Sequence, residues 1–345
     1  MTNRSQSVEV IVRFHDPLRL EELERAVFSL VSQNIHPITI HIVTQRFDID
    51  ALAATRMRLK PLFHVAPQVE FAIHNWCRAS PQDARSCLIN EGLRHIAGRY
   101  LAFLDYDDVL FPEAYGVLRE RLRVCGAAIT FAGIQTMTVA VFQEFVSIQR
   151  RANPPFRGRT LLDLFNANFA PIHSYMIDLE KIDKEDLYFD ENMNWEEDYE
   201  FLLRICSKYE SDFENLSIPI GYYNFKIDGS NSVPLTPEAF LARENSYRFV
   251  CETIRRRKAQ ITVSPQVLAR LAINISDKSH VGHPLTIEDV NRMAIKSGQG
   301  VHVKVSVVRH GIAKVVLSWR ERGATETGKL IITRLINRWR RLVSC

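Results

Sequence analysis

The first half of the chain alternates short apolar runs with amphipathic ones, and no other feature restricts its fold so tightly. "VEVIVRF" (Val8–Phe14), "ITIHIVT" (Ile38–Thr44), "VEFAIHNW" (Val69–Trp76) and "YLAFLD" (Tyr100–Asp105) are short and rich in β-branched or aromatic residues, as buried strands are. Helical patterns separate them. "LRLEELERAVFSLVSQ" puts Leu20, Leu23, Val27, Leu30 and Val31 on one face, and "DIDALAATRMRLKPL" reads as a helix stopped near Pro61. "PQDARSCLINEGLRHIA" reads as a helix with Gly98 just beyond it, and "PEAYGVLRERLRV" as one with Pro112 near its start. Strands joined through helices by such short links must pair in parallel, so the expectation is an α/β fold with a doubly wound sheet.

The longest uncharged stretch, "GAAITFAGIQTMTVAVFQ" (Gly126–Gln143), is interrupted by Gly, Gln and Thr and suits two buried strands better than a membrane span. "MTNRSQSVEV" enters the first strand without an apolar signal core. The six cysteines form no CxxC pair, which points to free thiols in a reducing compartment. A net charge of +4 on 345 residues is too small to indicate nucleic-acid binding. A soluble, cytoplasmic protein with no nucleic-acid partner is expected. Turn residues in "GSNSVPLTP" mark a boundary, and beyond about Thr236 the pattern is mostly helical. The tail "GKLIITRLINRWRRLVSC" has five basic residues and no acid after Gly328, with Ile331, Leu335, Trp339 and Leu342 on one side of a helix. Two readings stay open for it: a lid on the C-terminal helices, or peripheral contact with an anionic membrane.

Asp105, Asp107 and Asp108 close the fourth strand, and in doubly wound sheets ligands bind beyond the carboxyl ends of the strands. Closely spaced carboxylates suit Mg²⁺ or Mn²⁺, although a bare Asp-x-Asp taken alone is more often a solvated acidic turn. Val109 and Leu110 stand where an EF-hand needs a ligand and Gly, which argues against one, and no dinucleotide, P-loop or serine-hydrolase motif is present. A second acidic group, Glu196, Glu197 and Asp198 in "NWEEDYEFLLRI", opens an amphipathic helix. The helix dipole favours an acid there, but three adjacent carboxylates repel and raise at least one pKa. A carboxylate so tuned can act as general base toward a hydroxyl.

Together these pieces resemble the family 2 glycosyltransferases. The resemblance is carried by "VEVIVRFHD", "LINEGLRHIAGRYLAFLDYDDVLFP" and "LYFDENMNWEEDYEFLLRI", and extends over roughly Val8 to Asn231. It is strongest toward the non-processive enzymes of bacterial surface polysaccharides. It implies a GT-A fold, α/β and Rossmann-like, with a mixed, mostly parallel sheet flanked by helices over residues 1–234. A mostly helical region, 235–345, would be appended to it.

The implied reaction is an inverting, metal-dependent, non-processive sugar transfer from a nucleotide-sugar donor to a saccharide or lipid-linked saccharide. The resemblance implies that Asp107 holds Mn²⁺ or Mg²⁺ between the two phosphates, with Asp108 supporting the metal through water and Asp105 near the ribose. Asp198 matches the base, and Glu197 would orient or contact the acceptor. Arg85 would reach the phosphates or remain a surface arginine, and Phe14, His15 and Asp16 of "RFHDP" would line the nucleotide pocket. The second-strand turn departs from the family's acidic pattern: Thr44 and Gln45 stand there, leaving Gln45 to hydrogen-bond the base. A UDP-sugar is nevertheless the expected donor. The QxxRW of processive synthases is missing, since Leu335 precedes Arg338 and Trp339 where Gln would stand. His173 is either an acceptor or metal contact or a satisfied structural histidine. A nucleotidyltransferase is the enzymatic alternative, weakened by the lack of a Gly-rich basic loop after the first strand. A non-catalytic GT-A-like binding or scaffold protein is the other. Transfer to a lipid-linked acceptor would place the protein at the inner face of the cell membrane.

Overall fold

The computed structural model describes residues 6–142, 145–152, 158–193, 195–228, 244–271 and 283–297. The first half forms β1 (Val8–Phe14), α1 (Leu20–Val31), β2 (Ile38–Gln45), α2 (Ile49–Val65), β3 (Val69–Trp76), α3 (Arg85–Leu93) and β4 (Tyr100–Asp105). There follow β5 (Val109–Leu110), α4 (Ala114–Cys125), β6 (Ile129–Val141), β7 (Val146–Ala152), α5 (Leu161–Asn166) and β8 (Tyr175–Asp178). The remaining elements are α6 (Glu197–Lys208), β9 (Ser211–Lys226), α7 (Glu244–Gln260), α8 (Pro265–Leu271) and α9 (Ile287–Lys296).

The strands form one mixed sheet in the order β3-β2-β1-β4-β8-β6-β9-β5, with β7 paired to β6. β3, β2, β1 and β4 are parallel, as the short strand–helix links require. β8 then runs antiparallel between β4 and β6, while β9 is parallel to β6. β1 is flanked by β2 on one side and β4 on the other, so the order of the chain reverses there, and the crevice at the carboxyl ends of β1 and β4 is the switch point.

Alternation along β1 sends Val8, Val10, Val12 and Phe14 into an apolar layer with Leu23, Val27 and Leu30 of α1. Ile11 faces the opposite layer, with Leu88 of α3 and with Phe201, Leu202 and Ile205 of α6. Arg13 shares that second face and reaches the crevice at its upper edge. The C-terminal helices join this layer too: Val250 and Ile254 of α7, Val267 of α8 and Val290 of α9 belong to the same apolar cluster. Residues 229–243 and 298–345, including the basic tail, lie outside the described residues. Among the described residues no helix is long and apolar enough to cross a membrane.

Two local expectations are corrected. α2 does not stop at Pro61 but continues to Val65. Pro61 is exposed, so the single helix bond it removes leaves a carbonyl that water can reach. The uncharged stretch forms one strand, β6, rather than two. Its interruptions are absorbed as register shifts against β9 on both sides of Gly133. A Cβ at Gly133 would lie 2.6 Å from the backbone oxygen of Leu216, so glycine is what allows β9 to approach. Gly133→Ala is therefore expected to cost about 1–3 kcal/mol in chemical denaturation; an unchanged midpoint would show that the strands can separate freely.

Candidate active site

β4 ends at Asp105, and the chain turns sharply enough for the Asp108 amide to donate to the Asp105 carbonyl at 3.1 Å. The turn gathers the carboxylates of Asp105, Asp107 and Asp108, whose ligand atoms lie within 4.8 Å of one another. Parallel register places Arg13 of β1 directly beside Asp105. Arg13 uses Nε and Nη2 on the two oxygens of Asp105, the Nη2 contact being 2.9 Å, and donates through Nη1 to Oε1 of Glu197 at 2.6 Å. One guanidinium thus joins the acidic turn to the second acidic group. Burial alone would lower the Arg13 pKa, but Asp105 and Glu197 outweigh it and raise it well above its ordinary value. The same pairing holds Asp105 below the usual carboxylate range despite its burial.

Asp107 and Asp108 diverge from that pair. Asp107 accepts the Lys226 ammonium at 2.8 Å. Asp108 is buried, accepts the backbone N–H of Asn224 at 2.8 Å, and has Oδ2 3.3 Å from His173 Nδ1. Burial, together with Asp107 and Asp105, pushes the Asp108 pKa well up. His173 is itself buried with neither ring nitrogen in an aligned hydrogen bond, and burial lowers its pKa to about 4. It is a neutral imidazole against a carboxyl, with unsatisfied nitrogens rather than the satisfied set of a structural histidine. Three oxygen donors so close together, Asp105 and Asp107 half-buried and Asp108 buried, match the chemistry of a hard divalent cation.

α6 begins one residue after Glu196, which adopts the left-handed conformation at φ 56°. That turn brings Glu197 inward, where it is almost fully buried, and leaves Asp198 half-buried at the crevice wall. Oδ1 of Asp198 accepts the Tyr199 amide at 2.7 Å and lies 3.4 Å from Asn168 Nδ2, which also donates to Glu196 at 3.0 Å. Burial first, then Glu197 and Glu196, raises the Asp198 pKa well above the ordinary value. On the far side α7 contributes Lys258, whose Nζ donates to the Asn166 carbonyl at 2.9 Å; burial lowers its pKa to about 8.

The other residues singled out in the sequence fall around this centre unevenly. Phe14 is fully buried between Phe47 and Tyr106, beneath the crevice rather than lining it. His15 is exposed and meets the edge of Tyr106 at 5.4 Å, while Asp16 caps the following turn through the Leu18 amide. Gln45 donates to the Gln82 carbonyl at 2.8 Å. Asn75 braces the turn after β2: it accepts from Thr44 and from the Phe47 amide, and donates to the Phe47 carbonyl. Arg85 is bidentate on Asp83 and 3.9 Å from Oε2 of Glu197. Arg13, Asn168 and Lys258 were not singled out, because no motif marks them and only strand order and helix packing bring them here.

No family model and no curated protein matches the sequence, but solved structures match the fold. Residues 1–349 of TarS from S. aureus, in complex with UDP-GlcNAc, align at TM-score 0.53 with 13% identity, covering 80% of this chain and 74% of that one. TarS itself covers 82% of this chain at TM-score 0.53 and 13% identity, with 46% of its own length matched. The mannosyltransferase PcManGT from Pyrobaculum calidifontis, in complex with GDP-Man and Mn²⁺, aligns at TM-score 0.52 with 10% identity, over 100% of this chain and 86% of that one. The chain has the GT-A fold. In this GT-A domain the switch-point crevice and the acidic turn coincide.

Two measurements probe the electrostatics. Arg13→Met strands two partly or fully buried carboxylates and is expected to cost about 3–5 kcal/mol in urea denaturation; a loss below 1 kcal/mol would mean that they find other partners. Asp198 is the reverse case, because its folded pKa is raised, so ionisation at neutral pH works against the fold. Asp198→Asn should raise the thermal midpoint at pH 7–8. The gain should fade on acidification and vanish below the ordinary value of 3.8, where both folded and unfolded wild type carry the proton. A gain independent of pH would contradict the raised pKa.

Proposed function

We propose that this protein is an inverting glycosyltransferase that moves one sugar from a nucleoside-diphosphate sugar to a hydroxyl of a saccharide or lipid-linked saccharide. The observation that carries the reading is the Arg13 bridge, which commits the acidic turn and the Glu197–Asp198 corner to one crevice. The fold shared with proteins solved with UDP-GlcNAc and with GDP-Man and Mn²⁺ supports it.

Asp107 and Asp108 would hold Mn²⁺ or Mg²⁺, which when bound supplies positive charge against the diphosphate. Asp105, fixed by Arg13, faces the donor's ribose side. Gln45 and the Asn75-braced turn border the base, with UDP as the first candidate nucleotide. Oδ1 of Asp198 is occupied by the Tyr199 amide, while Oδ2 accepts no hydrogen bond among the described residues. Oδ2 is then the atom that takes the acceptor's proton as its oxygen bonds to the anomeric carbon. The sugar–diphosphate C–O bond breaks on the opposite face, and its electron pair leaves with the nucleoside diphosphate. Glu197 cannot replace Asp198 in this role, since Arg13 already engages it. Arg85, close to Glu197, stands where it can approach the phosphates once Asp83 releases it. Assembly of a cell-surface polysaccharide from the cytoplasmic side, with membrane contact through the basic tail, fits this chemistry.

The test is transfer or donor hydrolysis across UDP-, GDP-, CMP- and dTDP-sugars with Mn²⁺. Asp198→Asn should lower kcat by roughly 10²–10⁴ while nucleotide binding persists. Equal turnover by both proteins would remove Asp198 as the base, and inertness of both toward every donor would overturn the assignment.

A further inference from the structure

Lys226 closes β9 almost fully buried, and its ammonium lies 2.8 Å from Oδ2 of Asp107 and 3.3 Å from Oε1 of Glu22 on α1. β9 is stitched to the acidic turn beside it: the Asn224 amide donates to Asp108, and Asn224 Nδ2 donates to the Asp107 carbonyl at 2.6 Å. The lysine is therefore delivered to Asp107 by the sheet rather than swept there by a loose loop. It sits on the one carboxylate of the turn that neither Arg13 nor the Asn224 amide occupies.

This placement sets up a competition. A divalent cation that takes Oδ2 of Asp107 must displace the Lys226 ammonium from its shortest carboxylate contact. Glu22, the more distant of these two carboxylates, is also held by Arg19 at 3.0 Å through its other oxygen. A buried ammonium moved off its carboxylate is costly unless another anion arrives. A nucleoside diphosphate brings that anion. Arg25, whose Nε is buried without a hydrogen-bond partner and which lies in the field of Glu22 first and then of Asp107 and Asp108, adds a second cation on the same side.

We propose that Lys226 is an exchangeable counter-ion, paired with Asp107 in the free protein and turned onto the donor's diphosphate when a divalent cation takes Asp107. The proposal rests on the nucleotide-sugar reading above. Its consequence is a coupling between the two ligands: the cation alone binds weakly, the diphosphate recruits it, and by linkage the cation recruits the diphosphate by the same factor.

The experiment measures Mn²⁺ affinity by electron paramagnetic resonance, and UDP and GDP affinity by calorimetry, each with and without the other ligand. In the wild type, Mn²⁺ should bind at least about fivefold more tightly with nucleotide present. Lys226→Met should shift the two ligands in opposite directions: Mn²⁺ alone binds more tightly, the nucleoside diphosphate more weakly, and the coupling falls toward unity. Lys226→Gln serves as a second uncharged variant should the methionine protein fail to fold, and the same opposed shifts are expected of it. A folded variant with wild-type affinities and coupling overturns the proposal, as does a wild type that binds Mn²⁺ equally with and without nucleotide. Should neither nucleotide bind the wild type even with Mn²⁺, the functional reading fails first, an outcome distinct from nucleotide binding that ignores Lys226.

Discussion

The guanidinium of Arg13 is the constraint on which the rest of the crevice depends. β1 and β4 are neighbours because the chain reverses its strand order between them, and their register sets Arg13 beside Asp105. The third arm of the same side chain reaches Glu197, far along the sequence and at the start of α6, in the layer that Arg13 faces. Without that contact the acidic turn and α6 would present like charges to one another across a poorly solvated gap. With it, a buried group of acids is tolerable, and its members are held in fixed relation.

The cations also sort the acids into different protonation behaviour. Asp105, Asp108 and Asp198 are all drawn out of water, which by itself raises a carboxyl pKa. Asp105 has Arg13 on both oxygens and moves down instead. Asp198 has Arg13 only at a distance and two acids at its shoulder, so it moves up. Separate environments pushing neighbouring carboxyls apart is how a site divides ionised binding groups from proton-accepting ones. α7 extends this pattern from the C-terminal helices, with Lys258 set near Glu196.

Much of this was legible in the sequence where local pattern decides. The four parallel strands and their helices follow from alternation and short links. The two acidic groups stand out because each interrupts an apolar run at the end of a strand or the start of a helix. What pattern could not supply was adjacency. Arg13 is the penultimate residue of an ordinary strand, and its role emerges only from the order in which strands pair. Asn168 lies in a connection between α5 and β8, where no motif marks it. Phe14 is a different case: the resemblance implies a place at the pocket with His15 and Asp16, while strand alternation turns its ring into the core. At Pro61 and in β6, an exposed proline and a glycine-softened register each let an element run on through residues that locally signal a stop.

On the proposed function, one crevice at the carboxyl ends of β1 and β4 should hold both the diphosphate and the base. A crystal structure of the protein with Mn²⁺ and a nucleoside diphosphate tests this most directly. The cation is expected on the Asp107 carboxylate, the phosphates between it and the β1–α1 turn, and Asp198 Oδ2 open toward the same cavity. Nucleotide density elsewhere on the molecule, or a cation bound away from the acidic turn, would contradict it.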